Sequence, residues 1–559
     1  MRCGSDNALV RLRLRPAGTS LIFRFAIAAR SPVPYDLHYG RSADRTAFWK
    51  GKLSAALRGL DTGLADTRNA MDTAVEGGGM QASVLNESDF PKVDRRGWLS
   101  LATKTLGETS FEEALVSRSD DGILIEPLYD RASEFSPVPR ADPARPWSIV
   151  QRIDDPRPER ANAQALEDIE QGATGLALVF EGAPNAFGYG LPGNTSALAK
   201  ALDGVPLSRT HLRIDLHPQS RASVDWLVAL FRLRKVDPAK VDISFGIDPA
   251  AIFAGTGQLR MSIEAMHASM PQSLAHYFAL NLPGILLEAD GRVFHNAGAT
   301  EGQELGAMLA SAVSYLRMFE DARQPLVYAA PHIGFAVSVD QDQFMSLAKV
   351  RAVRKLWSRV LETCSVAPMP ATIHAETSYR MLTRRDPETN ILRNTIACFA
   401  AAAGGADTIS VLPHTITHGL PNAFARRVAR NIQLVFSGET RLGFVSDPAA
   451  GSGAIEALTS SLCETAWREF QAIEGEGGIL RSIQEGRLQA RIVAAREARL
   501  ADYREGPRGI VGTTLFPAPS ERPVETLDAE PRPETGIGTV FCEKLPVSRL
   551  DEAAEAADA

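Results

Sequence analysis

Cysteine is scarce: five in 559 residues, at Cys3, Cys364, Cys398, Cys463 and Cys542, with no C-x-x-C pair. That spacing excludes a disulfide framework and a zinc knuckle, and it suits a reducing compartment. Lysine is thin as well, ten of the sixty basic residues, a bias that a GC-rich coding sequence explains without fifty functional arginines. An excess of positive charge is also missing, since the formal net charge is −7. A nucleic-acid binder that works by neutralising phosphates needs a basic face, so that class falls away. No uncharged apolar run approaches the ~20 residues that cross a bilayer, which excludes an integral helical membrane protein. What is there is ordinary for a globular enzyme: 45% hydrophobic and 23% charged residues. The length suits two or three domains if one of them is a ~250-residue α/β barrel.

The two ends differ from the middle. Residues 1–34 carry six arginines and one acidic residue, a composition superficially like a mitochondrial transit peptide. Arg24 breaks the apolar stretch Leu21–Ile27, so a secretory signal does not fit. Residues 1–79 read as a poorly structured extension, with Met71 and Met80 as alternative initiators. Residues 517–559 are rich in Pro and Glu and read as a linker-like disordered tail.

Between these ends one pattern repeats. Apolar or β-branched runs occur at Gly175–Phe180, His211–His217, Val241–Asp248, Gly284–Asp290, Pro325–Pro331, Pro370–Glu376, Asp407–Pro413 and Arg441–Asp447. Each precedes an amphipathic stretch long enough for a helix, such as Glu301–Met318, Phe344–Leu361 and Ala423–Phe436. Strand–helix alternation predicts a parallel sheet, and eight units in roughly 300 residues predict a closed (β/α)8 barrel. A barrel places its chemistry where the strands end. The residues there are Glu181, His217, Asp248, Glu288, Asp290, His332, His374, Glu376, His414 and Asp447. They allow a His/carboxylate metal site of a hydrolase, although no H-x-H strand or H-E-x-x-H helix is present. Gly188-x-Gly190-x-x-Gly193 matches a dinucleotide fingerprint, but Pro192 lies inside it and a seven-residue loop separates it from the strand. It reads as a long barrel loop. The absence of G-x-S-x-G leaves no basis for a Ser/His/Asp triad.

Several segments carry a resemblance. Arg145-Pro-Trp-Ser-Ile-Val-Gln-Arg152 is similar to R-P-W-T-I-R-Q-Y, and Asn296-Ala-Gly-Ala-Thr-Glu-Gly-Gln-Glu-Leu305 to E-A-G-A-…-E-L. Ala348-Lys-Val-Arg-Ala-Val-Arg-Lys-Leu-Trp357 resembles A-K-x-R-A-x-R-R-L-W, and His374-Ala-Glu-Thr-Ser378 resembles H-x-Q-T-S. Asp386-Pro-x-x-Asn390-Ile-Leu-Arg393, Gly404-Gly405 and Ile510-Val-Gly512 follow in the same order. Together these segments resemble the adenosylcobalamin-dependent acyl-CoA mutases from about Trp98 to Gly512. Within them the methylmalonyl-CoA mutases fit best, and of the two chains of the bacterial heterodimer the small (β) subunit fits better.

The resemblance implies a (β/α)8 barrel over 145–475, an N-terminal subunit-contact arm over 80–144 and a helical extension over 476–516. Of the family's motif residues, Arg145, Gln151, Asp248, His374 and Arg393 are retained. Its active-site positions have changed. The family tyrosine is Arg152, the glutamine of G-T-x-Q-N-D is Gly246, the substrate-carboxylate arginine falls at Thr256, and the general-acid histidine is Val293. His295 stands two positions later, so only a shifted loop would restore it. No D-x-H-x-x-G cobalt-ligand motif occurs, so the resemblance puts adenosylcobalamin on the large (α) subunit and none on this chain. The expectation is therefore a subunit without its own active site in a complex that interconverts (R)-methylmalonyl-CoA and succinyl-CoA, in a bacterial cytoplasm. The large subunit is its partner, and a G-protein chaperone is a further candidate. Bulky residues such as Phe180, Phe245 and Leu326–Tyr328 predict an axis packed or narrowed against coenzyme A. Trp98, Leu128 and Tyr129 are expected to mark the subunit contact. Two alternatives stand beside this reading: an active mutase barrel served by a cobalamin domain in trans, and a metal hydrolase built on His217, His332 and His374.

Overall fold

The described residues of the computed structural model are 93–215, 217, 220–506, 508–532, 538–552 and 554. Residues 1–94 and 95–559 form separate units, and the barrel lies in the second. The expectations for residues 1–79 and for the first part of the arm fall outside the described residues.

Eight parallel strands make the sheet: β1 Ser148–Ile153, β2 Gly175–Val179, β3 His211–Asp215, β4 Ile243–Phe245, β5 Leu287–Asp290, β6 Ile333–Val339, β7 Ile373–Thr377 and β8 Thr408–Ser410. They are buried on both faces, as parallel strands covered by crossover helices must be. β8 pairs with β1 through Thr408 opposite Ser148. Between β4 and β5 the ring closes at a Ser244–Ile285 bridge, where the Phe245 N–H donates to the Ile285 carbonyl at 2.8 Å. The result is the expected (β/α)8 barrel.

Two strand expectations fail. Pro325–Pro331 forms a short helix, Leu326–Ala329, running into a 3-10 turn, and the strand comes after it at β6. A short apolar run between prolines does not declare its period, and Pro325 with φ near −63° starts a helical turn readily. Arg441–Asp447 holds only a 3-10 turn at Leu442–Phe444. Once β8 has paired with β1, the sheet has no free edge for another strand. The missing strand is β1, which begins inside the Arg145–Arg152 motif and ends one residue beyond it.

The helices flanking the barrel are α1 Pro158–Glu170, α2 Thr195–Ala201, α3 Ser220–Arg234, α4 Ile263–Ala279, α5 Glu301–Asp321, α6 Gln343–Thr363, α7 Thr389–Ala403 and α8 Ala423–Leu434. α5 opens with a capping box, Thr300 and Gln303 satisfying each other's backbone N–H. Beyond the barrel, α9 Gly453–Gly475 packs along α5 and α6, and α10 Arg487–Glu505 comes next.

In the arm, a helix spans Arg95–Leu106 and buries none of its residues. Ser110 caps a second helix, Phe111–Leu115. The hairpin Ser117–Arg118 with Leu124–Ile125 then turns at Gly122, whose φ of +73° suits glycine. Leu128 is exposed, whereas Trp98 and Tyr129 are half-buried.

The described part of the tail, residues 517–532 and 538–552, departs from the expectation of disorder. Thr526–Leu527 pairs with Leu420–Pro421, and Val540–Phe541 pairs with Gln258–Leu259. Leu545, Ser548, Leu550 and Asp551 are buried. Composition judged the segment by whether it folds alone, but here it docks on surface already built.

Candidate functional site

Strand register decides which side chains meet on the barrel axis. Val150 lies opposite Gly175, Gly175 opposite His211, and Ser244 opposite Arg213. On the other side, Glu288 lies opposite Gly334, Ser338 opposite Glu376, and Glu376 opposite Ser410. The inner face therefore carries Val150 and Arg152, Ala177, Arg213 and Asp215, Ser244, Glu288 and Asp290, Ala336 and Ser338, His374 and Glu376, and Thr408 and Ser410. Small residues alternate with long charged ones.

The charged ones are paired. Arg213 holds Glu288 with both ends of its guanidinium, at 2.7 and 2.6 Å, and reaches Asp215 at 3.1 Å. Arg292, just after β5, holds Asp215 at 2.8 and 3.1 Å and Asp290 at 2.8 and 2.9 Å, and bonds Glu376 at 3.3 Å. Arg152 bonds Asp154 at 2.5 Å and lies 3.9 Å from Glu376. Arg213 and Arg292 are among the largest fully buried side chains described. The expectation of a filled axis thus meets a different filling, ion pairs instead of apolar bulk. Phe180 packs outward against Trp226, 5.4 Å between ring centroids, and Leu326–Tyr328 lies outside the barrel strands.

Burial sets the electrostatics. It pushes the Glu288 and Glu376 carboxyls up, with the arginines pulling against it. Desolvation holds His374 well below the ordinary histidine range, so its ring is neutral; its Nδ1 lies 2.8 Å from Thr408 Oγ1. Asp215, between two guanidiniums, is held below the carboxylate range by Arg292 and Arg213 against its own desolvation.

Of the positions where family residues were expected to be exchanged, Gly246 lies against this network. A Cβ on Gly246 would stand 3.0 Å from the Ile214 carbonyl oxygen and 3.3 Å from Glu288 Oε2. Glycine there leaves room for the Arg213–Glu288 pair. Thr256 spends its hydroxyl on the Ile252 carbonyl at 2.6 Å, inside a short helix. Val293 is buried in the helix Arg292–Asn296. His295 bonds Glu304 on α5 at 3.0 Å and Ser378 at 2.9 Å, with Lys349 of α6 at 3.4 Å. Glu304 and Lys349 lie on α5 and α6 and Ser378 directly follows β7, so none of the three partners belongs to the axial ion pairs. Ser378, His295 and Glu304 have the hydrogen-bond order of a nucleophile triad, but all three are fully buried and Lys349 takes the carboxylate at 2.6 Å. A substrate carbonyl has no approach to Ser378.

The five residues expected to be retained from the family motifs do not converge. Arg145 is exposed, its nearest ionic partner Asp142 at 3.4 Å. Gln151 turns outward to Asp168 on α1 and the Arg426 carbonyl on α8. Asp248 caps the helix Pro249–Thr256 and accepts the Tyr315 hydroxyl at 2.7 Å; burial pushes its carboxyl up to about 7. His374 sits on the axis, and Arg393 ties α7 to the Val511 carbonyl at 2.6 Å. His217, His332 and His374 also stay apart. His332 precedes β6 and bonds the Gly284 carbonyl at the opposite end of the barrel from His217, which comes after β3. Among the described residues, no group of three or more His, Cys, Asp or Glu is placed to hold a metal ion. Sequence reading missed Arg213 and Arg292. The available signal was a strand, His-Leu-Arg-Ile-Asp, that alternates His211, Arg213 and Asp215 onto one face in a sheet buried on both.

At the mouth, a cleft of about 310 Å3 lies among Phe187, Val293, Tyr379, Lys544 and Arg549. No described helix is long and apolar enough to cross a membrane.

Residues 193–540 match the family model described as methylmalonyl-CoA mutase. The chain is 36% identical over 493 residues to the methylmalonyl-CoA mutase small subunit of Streptomyces virginiae, which covers 84% of this chain and 76% of that one. It is 30% identical to the small subunit of Propionibacterium freudenreichii subsp. shermanii, covering 78% and 71%. The large subunit of Streptomyces virginiae is also similar, 24% identical, covering 80% of this chain and 65% of its own length.

Proposed function

Because the chain belongs to the methylmalonyl-CoA mutase family, we propose that it is the small subunit of a heterodimeric mutase and has no working active site of its own. The carrying observation is the axial ion-pair network. Arg213–Glu288 and Arg292–Asp215 cross the space through which an extended thioester arm would thread. Clearing it would leave buried charges unpaired, at a cost of several kcal/mol each. Beside it, the positions that would act on substrate are a glycine, a threonine bonded to its own helix, a buried valine and an arginine committed to Asp154.

The reaction belongs to the complex: interconversion of (R)-methylmalonyl-CoA and succinyl-CoA, with adenosylcobalamin supplying the radical chemistry from the large subunit. The residues of this chain do not fit the cofactor. The mouth cleft of about 310 Å3 stands at the low end of the 300–1,000 Å3 that holds drug-sized ligands, and a corrin is larger. Similarity to both the small and the large subunit of one organism supports the pairing. The unburied arm helix Arg95–Leu106, with Leu99 and Leu101 exposed, is the proposed contact with the large subunit. A bacterial cytoplasm is the compartment of this reading, and a G-protein chaperone remains a further partner to test.

The test is turnover of methylmalonyl-CoA with adenosylcobalamin by this chain alone, by the large subunit alone and by the two co-expressed. Activity that requires the large subunit, with none from this chain, is expected. Turnover by this chain alone would overturn the reading in favour of an active barrel that takes its cofactor in trans.

A further inference from the structure

Phe187 sits in the loop after β2 at φ +52°, a left-handed backbone that a bulky residue adopts only where its surroundings over-determine it. Those surroundings form a column. The Arg152 guanidinium lies 5.0 Å from the Phe187 ring centroid. Phe187 stacks on Tyr379, 4.2 Å between centroids and 15° between planes. The Tyr379 side chain is hydrogen-bonded by Arg549 of the tail, and Arg549 is itself held by Asp551 at 2.9 Å. The column runs from the axial ion pairs, through the mouth, to the C-terminal segment.

That segment touches the loops after five of the eight strands, mostly through its backbone. Thr526–Leu527 pairs with Leu420–Pro421 after β8. The Arg532 N–H donates to Gly188 after β2 at 2.8 Å. The N–H groups of Thr539, Cys542 and Leu545 donate to Leu259, Gly257 and Ala254 after β4, at 2.7, 3.0 and 2.8 Å. Ser548 donates to Asn296 after β5 at 2.9 Å, and Leu550 to Arg380 after β7 at 3.0 Å. The buried anchors are Leu545, Leu550 and Asp551, whose carboxylate accepts the Arg384 N–H at 2.7 Å. Contacts spread over five separate loops on one face of the barrel are what a cover requires. A tail merely extending the core would track one neighbour.

We propose that residues 526–532 and 538–552 form a lid docked in cis on the barrel mouth. It clamps the Phe187 loop as a plug, and the face that another domain or a ligand would need is occupied by the chain's own C-terminal segment. This goes beyond the absence of catalytic residues, because it concerns access and would hold whatever the axis could do.

Hydrogen exchange on the full chain tests it, comparing the wild type with Leu545→Asp/Leu550→Asp. Protection in residues 182–191 and 254–259 should fall at least tenfold while α5 keeps its own. Binding of anilinonaphthalene sulfonate should rise as Phe187 and Tyr379 are uncovered. Arg549→Gln, which spares both leucines, should loosen only the Phe187 loop. Unchanged protection of that loop in both variants would overturn the proposal. So would a loss spread equally into α5, which would make the segment ordinary core. Neither readout depends on turnover, so a failure here is separable from a failure of the subunit reading.

Discussion

Removing Arg213 should be among the costliest single changes on the axis. Three guanidiniums, Arg152, Arg213 and Arg292, face five carboxylates, Asp154, Asp215, Glu288, Asp290 and Glu376. Arg213→Met leaves two cations against five acids and strips Glu288 of both its short bonds, at 2.6 and 2.7 Å. Breaking a buried pair from one side costs about 3–5 kcal/mol. Glu288→Gln moves the balance the other way, to three against four, and leaves Arg213 bonded to Asp215. Its cost should be nearer ~1–3 kcal/mol, that of a weakened charged hydrogen bond. The double change Arg213→Met/Glu288→Gln removes both charges and leaves Asp215 paired with Arg292, so it should cost less than Arg213→Met alone. The expected coupling is at least ~2 kcal/mol. Urea unfolding at pH 7.5, read as midpoint shifts at constant m, measures all three. A cost below ~0.5 kcal/mol for Arg213→Met, or a double variant equal to the sum of the singles, would refute the view of the axis as a tightly coupled buried network.

The other predictions use the same structure. His374 is buried and neutral, its pKa held well below the ordinary value by desolvation. The unfolded chain takes up a proton on it below about pH 6.5 and the folded chain does not, so stability is lost as pH falls. His374→Gln should remove that share, about 1.4 kcal/mol per pH unit between pH 6 and 5, in paired denaturation curves; parallel curves would show that the ring is charged when folded. Gly246→Ala places a Cβ 3.0 Å from a backbone oxygen and should lower stability by about 1–3 kcal/mol, while a neutral result would mean that β4 yields easily there. Leu99→Asp/Leu101→Asp changes side chains that are 42% and 60% exposed. Isolated-chain stability should move by no more than about 0.5 kcal/mol, while co-purification of the large subunit drops sharply; undiminished co-purification would move the contact off this helix.

Much of the barrel was legible in the order of residues alone. Apolar runs at ~30–45-residue spacing, each leading into a helical period, are local signals, and six of the eight expected runs became strands. The expected exchanges at Arg152, Gly246, Thr256 and Val293 rest likewise on motif register, which needs no coordinates. Tertiary structure alone decided the rest. Arg213 meets Glu288 across 75 positions and Arg292 meets Asp215 across 77, so the filling of the axis depends on strand register, which no local pattern states. Closure of β8 on β1 left no edge for Arg441–Asp447 to join as a strand. The tail is held largely by backbone N–H and carbonyl groups that every residue carries; its place on the mouth is therefore written in the shape of the barrel and hardly at all in the tail's own composition.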